Sequence, residues 1–150
     1  MIAVIQRVKY AKVSVNLESI SQINSGLLIL LSVTHNDTED DIIWLTNKIV
    51  NLRIFDDSNG VMNVSCLENN ANILTISQFT LHARTKKGNR PSYIDAAKPE
   101  FAKELYELFI LNIDLLLHKK TFSGKFGANM QVELCNDGPV TIIIDTKNKL

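Results

Sequence analysis

Two short stretches of this 150-residue chain carry residue types that can act on a polarised bond. The first is Ser77-Gln78-Phe79-Thr80-Leu81, where hydroxyl and amide side chains end an otherwise apolar run. A pocket built there would offer backbone N–H groups and a hydroxyl to a polarised carbonyl, the arrangement of an oxyanion hole. Thr80 can also be drawn as a nucleophile, but a threonine hydroxyl is weak without an adjacent base. The same residues at a strand end equally serve to cap loop backbone. The second stretch is Asn136-Asp137-Gly138-Pro139-Val140-Thr141. Glycine tolerates positive φ and lets a ligand approach the backbone closely. Proline fixes its own φ, lacks an N–H and is the residue before which a cis bond is cheap. An ordinary hairpin turn explains the same letters.

The usual catalytic machinery is missing. His35, His82 and His118 are dispersed, and neither they nor the two cysteines fall at metal-ligand spacing. No metal or cofactor is expected. His82, near the end of the first stretch, is the one histidine placed to act as a base. Cys66 and Cys135 read as separate reduced thiols. There is no Gly-x-Ser-x-Gly elbow and no phosphate-cradling glycine loop. Sixteen basic residues balance sixteen acidic ones. That argues against coating long nucleic acid, which takes many phosphate contacts, but leaves room for gripping an RNA end. The densest basic run, Arg84-Thr85-Lys86-Lys87-Gly88-Asn89-Arg90, reads first as a solvated loop.

The elements that must position these stretches follow from periodicity. Residues 1–8 and 11–16 alternate as two short strands and suggest a hairpin turned near Lys9-Tyr10. A strand at 19–23 and a turn at Asn24-Ser25-Gly26 lead into Leu27–Val33, a continuous apolar strand covered on both faces. Asp37-Thr38-Glu39-Asp40 opens a helix with Ile42, Leu45, Ile49 and Leu52 on one stripe and Trp44 on its edge. A short strand is expected at 53–55 and a longer one over 71–81, with Gln78 and Thr80 on one face. Pro99 starts a second helix whose stripe is Ala102, Leu105, Phe109, Ile113 and Leu116. Strands near 121–126, 130–134 and 140–145 complete a single α+β domain, 1–145, with a short polar tail at 146–150. No apolar run is long enough to span a bilayer, and residues 1–8 do not read as a signal peptide, so a cytoplasmic protein is expected.

Taken together, the two stretches resemble the signature motifs of the D-aminoacyl-tRNA deacylases. Met1–Val8 is similar to that family's first strand, and Arg53-Ile54-Phe55, Gly88-Asn89-Arg90-Pro91-Ser92 and Met130-Gln131-Val132 also match its pattern. Lys86-Lys87 before Gly88, and Asn129 where an aspartate is common, depart from it. The resemblance implies a homodimer with a β-barrel-like, antiparallel-rich sheet and two main helices. It implies hydrolysis of the ester joining a D-amino acid to the 3′-terminal adenosine of tRNA, a proofreading step that recycles tRNA and keeps D-residues out of translation. On that reading Gly138-Pro139 is cis, enters the partner subunit's site and rejects L-amino acids through its backbone carbonyls. Arg7 holds it from the first strand, while Asp137, Val140 and Thr141 maintain the bend. Ser77, Gln78, Phe79 and Thr80 line the pocket for the adenosine and the ester, with Thr80 positioning rather than attacking and the ribose 2′-hydroxyl assisting. Glycyl-tRNA is a plausible further substrate. Rival readings are a non-catalytic dimer that binds RNA ends and a threonine-dependent hydrolase of small esters.

Overall fold

The computed structural model describes residues 1–149. Its centre is β3 (Gly26–Ser32), where Leu27, Leu28 and Ile29 have no exposed surface and Leu31 almost none. Gly26 begins this strand because of its neighbour: a Cβ there would lie 2.1 Å from the Asn72 carbonyl oxygen. β3 pairs antiparallel with β1 (Ile2–Val15) and parallel with β6 (Asn72–Ser77), which pairs parallel with β7 (Phe122–Ser123). Parallel neighbours need crossover connections, and the two main helices lie in them. Between β3 and β6 runs α1 (Glu39–Val50), followed by the small hairpin of β4 (Phe55–Asp56) and β5 (Met62–Val64). Between β6 and β7 lies α2 (Pro99–Leu117), with Lys98 at its N-cap and His118 left-handed at its end.

Two cores result. The helices cover one face of the sheet through Leu45, Ile49, Leu105, Phe109 and Ile113, which meet Met1, Ile5, Leu27, Ile29 and Ile73. A second cluster, Val8, Ala11, Val13, Ile23, Leu28, Leu74 and Ile76, fills the other side, where the sheet curls on itself. β2 (Glu18–Ile23) approaches β7 there, and Ser21 Oγ donates to the Ser123 carbonyl at 2.7 Å. The architecture is α+β, two helices on a nearly closed barrel-like sheet. No helix among the described residues is long and apolar enough to cross a membrane.

Several expected boundaries move. The N-terminal hairpin is instead one continuous strand. Lys9-Tyr10 lacks turn chemistry, and a register shift between Val8 and Tyr10 absorbs the irregularity without reversing the chain. The strands at 130–134 and 140–145 are likewise the two ends of β8 (Gln131–Asp145), which pairs with β1 on both sides of the Gly-Pro pair. The long strand over 71–81 stops at Ser77 and gives way to a 3-10 turn, Phe79–His82. Helix α1 begins after Thr38, not Asp37. Thr38 and Asp41 form a capping box, while Asp37 is buried and receives the Met1 ammonium at 2.5 Å. Beyond β8, Thr146 Oγ1 also accepts from that ammonium, and Lys147 reaches Asp41 at 2.7 Å. Leu150 lies outside the described residues.

Candidate active site

The first candidate stretch closes off the C-terminal end of β6. Gln78 N–H donates to the Leu31 carbonyl at 2.8 Å, which stitches the end of β6 to β3 and starts the 3-10 turn. Within that turn Leu81 N–H returns to the Gln78 carbonyl and Ala83 N–H to that of Thr80. The N–H groups of Phe79 and Thr80, first in the turn, find no acceptor among the described residues. Phe79 is part of the wall of the adjoining cavity and Thr80 is not, so the turn carrying these two free donors begins at that wall; free donors beside a pocket are what an oxyanion site requires.

A cavity of about 660 Å³ opens at this point, with Ser77, Gln78 and Phe79 in its wall. Its other walls are largely apolar: Tyr93, Ala97, Ala102, Tyr106, Phe126 and Met130. The Tyr106 hydroxyl is tied up, donating to the Thr75 carbonyl at 2.8 Å, and burial pushes its pKa well up. Phe79 and Tyr93 meet edge to face at the rim, 5.0 Å between centroids. Of the carboxylates and imidazoles, none lines the cavity, and Lys98 is the one charged side chain in its wall. Shape, aromatic faces and backbone donors are therefore its means of holding a ligand.

Thr80 stands behind this wall rather than in it. The Gln78 Nε2 amide donates to Thr80 Oγ1, so the two side chains meet across the turn although they no longer share a strand face. A hydroxyl oxygen that accepts an amide N–H is a poorer nucleophile, and among the described residues no base hydrogen-bonds to it. His82, the candidate base, does not line the cavity. Burial lowers its pKa, with the Met1 ammonium adding to the effect, and its buried Nε2 has no partner among the described residues. Ser32 lies inside the apolar run Leu27–Val33 and was not among the candidate residues. The residue is part of the cavity wall, and its buried hydroxyl has no hydrogen-bond partner among the described residues. Serine in a strand core carries no periodic signal, so nothing in the letters singled it out.

The second stretch is displayed elsewhere. β1 opposes four residues of β8, 137–140, with Arg7 alone, because Gln6 faces Thr141 and Val8 faces Asn136. The surplus bulges outward, leaving Gly138 and Pro139 exposed between half-buried neighbours. The Gly138-Pro139 peptide is cis, and Gly138 has φ +138°. A Cβ there would come within 2.7 Å of Val140 Cγ2 and 3.3 Å of the Arg7 guanidinium. Arg7, nearly buried, donates from Nε to the Asp137 carbonyl at 2.9 Å and from Nη1 to the Ile54 carbonyl at 2.7 Å. Its contact with Asp56, 3.1 Å, ties the β4 hairpin to the same guanidinium. Asn136 clasps the bulge: its Oδ1 accepts from Val140 N–H at 2.8 Å and its Nδ2 donates to the Val140 carbonyl at 3.1 Å. The sequence assigned the bend to Asp137, Val140 and Thr141. The amide of Asn136 carries the closing bonds, Asp137 contributes its carbonyl, and Thr141 Oγ1 accepts from Asn136 and Gln6.

Arg7, Gly138 and Pro139 are absent from the cavity wall. Val132 does line it, and six residues of strand, roughly 20 Å, separate Val132 from Gly138. Within one chain the structure thus brings Ser77, Gln78 and Phe79 together, and Arg7 with the Gly-Pro pair, but not the two groups with each other. Among the described residues no cluster of three His, Cys, Asp or Glu side chains could hold a metal. Both cysteines are free, and burial raises Cys66 to about 11.

Comparison with known proteins follows the same lines. The family model described as D-Tyr-tRNA(Tyr) deacylase matches residues 4–145. A D-aminoacyl-tRNA deacylase of Bacteroides fragilis (strain YCH46) is 60% identical, with 99% of each chain covered. That of Bacteroides thetaiotaomicron is 58% identical, with 97% of each covered. Among solved structures, one titled c-Myc DNA Unwinding Element Binding Protein superposes with a TM-score of 0.90 at 39% identity, covering 97% of this chain and 98% of that one. Another, titled as a probable eukaryotic D-amino acid tRNA deacylase, gives 0.84 at 14% identity, covering 95% and 97%, and speaks to the fold alone.

Proposed function

This chain belongs to the D-aminoacyl-tRNA deacylase family, and from that membership we propose how its own residues select and cleave their substrate. It is a hydrolase of the ester bond in D-aminoacyl-tRNA. In our reading the 3′-terminal adenosine enters the cavity beside Phe79 and Tyr93, and the ester carbonyl oxygen lies against the N–H groups of Phe79 and Thr80. Water adds to the carbonyl carbon, the two N–H groups stabilise the oxyanion, and the bond to the ribose oxygen breaks. The products are a free D-amino acid and a tRNA with its 3′-terminal hydroxyls restored. An aminoacyl ester is an activated bond, so positioning and oxyanion stabilisation suffice without a charged side-chain catalyst. The ribose 2′-hydroxyl assists, and Gln78 and Thr80 hold the turn that presents the donors. The observation that carries this reading is the pair of free N–H groups in the turn that begins, at Phe79, in the wall of a cavity that no carboxylate or imidazole lines.

Selection falls to Gly138-Pro139, acting on the pocket of a second copy. The segment is exposed, clasped by Arg7 and Asn136, and remote from its own cavity. Among the described residues β8 pairs with β1 alone and leaves its other edge without a strand, with Val132 and Ile143 exposed, which suits association with another strand. In the homodimer the Gly-Pro carbonyls crowd the side where an L-side chain would point. Glycine has no side chain to reject, so glycyl-tRNA is cleaved on the same logic.

Purified protein added to D-tyrosyl-tRNA and L-tyrosyl-tRNA tests the reading. Release of the D-amino acid alone is expected. Binding of both without turnover points to a protein that only holds RNA ends, and turnover confined to simple esters points to a small-ester hydrolase.

A further inference from the structure

The zero net charge of this chain conceals a local surplus beside the cavity. Residues 84–98 contain five basic residues, Arg84, Lys86, Lys87, Arg90 and Lys98, against one acidic residue, Asp95. Arg84 is spent internally, since its guanidinium forks onto both Asp95 carboxylate oxygens. Lys86, Lys87, Arg90 and Lys98 are exposed and take part in no ion pair among the described residues.

The loop that carries three of them is fixed at its base. Arg84 N–H donates to the Ser92 carbonyl at 2.8 Å and Ser92 N–H returns to the Arg84 carbonyl at 3.0 Å. Thr34 Oγ1 donates to the Asp95 carbonyl at 2.6 Å, and His35 Nε2 lies 3.0 Å from that of Ile94. The next residues, Tyr93, Ala96, Ala97 and Lys98, are cavity wall. Along the chain Arg90 precedes the wall residue Tyr93 by three positions, Lys87 by six and Lys86 by seven, on an arm anchored at its base. Farther along, the outer face of α2 carries Glu100, Glu104 and Glu107 around Lys103, which repels a polyanion from that side.

We infer that Lys86, Lys87 and Arg90 form a phosphate-binding arm that receives the 3′ strand of tRNA as it leaves the cavity. The inference rests on the proposed reading that the terminal adenosine occupies the cavity. A chain of zero net charge gains RNA affinity by concentrating unpaired cations where the strand emerges. The arm does not touch the ester, so it contributes only when RNA extends beyond the terminal nucleoside.

The test compares wild type with the triple variant K86A/K87A/R90A on D-tyrosyl-tRNA and on 3′-O-D-tyrosyl-adenosine, across a salt series. With tRNA, kcat/KM of the variant is expected to fall about 100-fold at 0.1 M salt, and the slope of log kcat/KM against log salt to flatten by about 2. With the aminoacyl-adenosine the two proteins are expected to match, which also shows the variant to be folded. An unchanged slope and rate on tRNA would overturn the arm, as would an equal loss on both substrates. Failure of wild type on both substrates would instead overturn the reading of the cavity.

Discussion

The cavity and the Gly-Pro bulge are built in opposite ways. The cavity wall is mostly apolar and aromatic, and the turn that begins there at Phe79 has free backbone N–H donors while the Gln78 side chain is engaged with Thr80. The bulge is a polar construction on the sheet's outer strand: Arg7 and Asn136 supply the bonds that shape four residues which would otherwise have no partner strand. In the proposed function the first receives a ligand, and the second presents backbone to another copy. The contrast teaches that the two candidate regions do not meet within one copy, which is why the proposed function joins them across two.

Substitution at the bulge should have the largest effect. Gly138→Ala forces a methyl group against Val140 and Arg7 at a φ that L-residues avoid. We expect kcat/KM on D-tyrosyl-tRNA to fall about 100-fold, as for a misplaced positioning group, with loss of D-over-L preference. Unchanged rate and preference would remove this segment from the site. Arg7→Met tests the clasp rather than the contact. It leaves the Asp137 and Ile54 carbonyls without their donor, so urea denaturation should show about 1–3 kcal/mol less stability, accompanied by a drop in stereoselectivity. Lost stability with intact selectivity would make Arg7 a structural residue only.

On the cavity side, Thr80→Ala should cost less than about tenfold, because it removes one support of the turn and keeps both N–H donors. Complete loss in a folded variant, with an acyl group trapped on Thr80 of the wild type, would make Thr80 the nucleophile. The smallest effect is a pH dependence confined to this side. His82 has its pKa lowered by burial, so the unfolded chain binds its proton more readily than the folded one. Its contribution to stability is present above the ordinary histidine value, near 6.5, and is lost as pH falls below it toward the folded value. Thermal denaturation from pH 8 to 5 should show a shallower decline for His82→Gln than for wild type.

The letters of the sequence carried the central strand, both helices and the two candidate stretches, because uninterrupted leucines and a 3.6-residue period leave few alternatives. They misjudged what long-range pairing decides. Lys9-Tyr10 and Asn136–Thr141 both look like chain reversals locally, yet β1 and β8 hold each other extended through both irregularities. Arg7 and the cis Gly138-Pro139 bond were expected from the family resemblance, and the structure sets Arg7 Nε on the Asp137 carbonyl beside that cis bond. The site was not legible at Ser32, whose hydroxyl matters only because a cavity opens beside it, nor at Asn136, whose amide folds back on its own segment. The basic run at 84–90 was read as a solvated loop; its anchoring by Asp95 and Ser92 depends on contacts that spacing does not reveal.

Mixed subunits test the shared site most directly. Ala102→Phe, expected to fill the cavity, and Gly138→Ala, expected to spoil the bulge, are each made alone and then co-expressed with distinct tags so that hybrid dimers can be isolated. A hybrid holds one intact cavity facing one intact bulge, so a random mixture should recover about a quarter of wild-type deacylation of D-tyrosyl-tRNA, and the isolated hybrid about half. Activity no greater than that of the two variants assayed separately would contradict a site shared between copies.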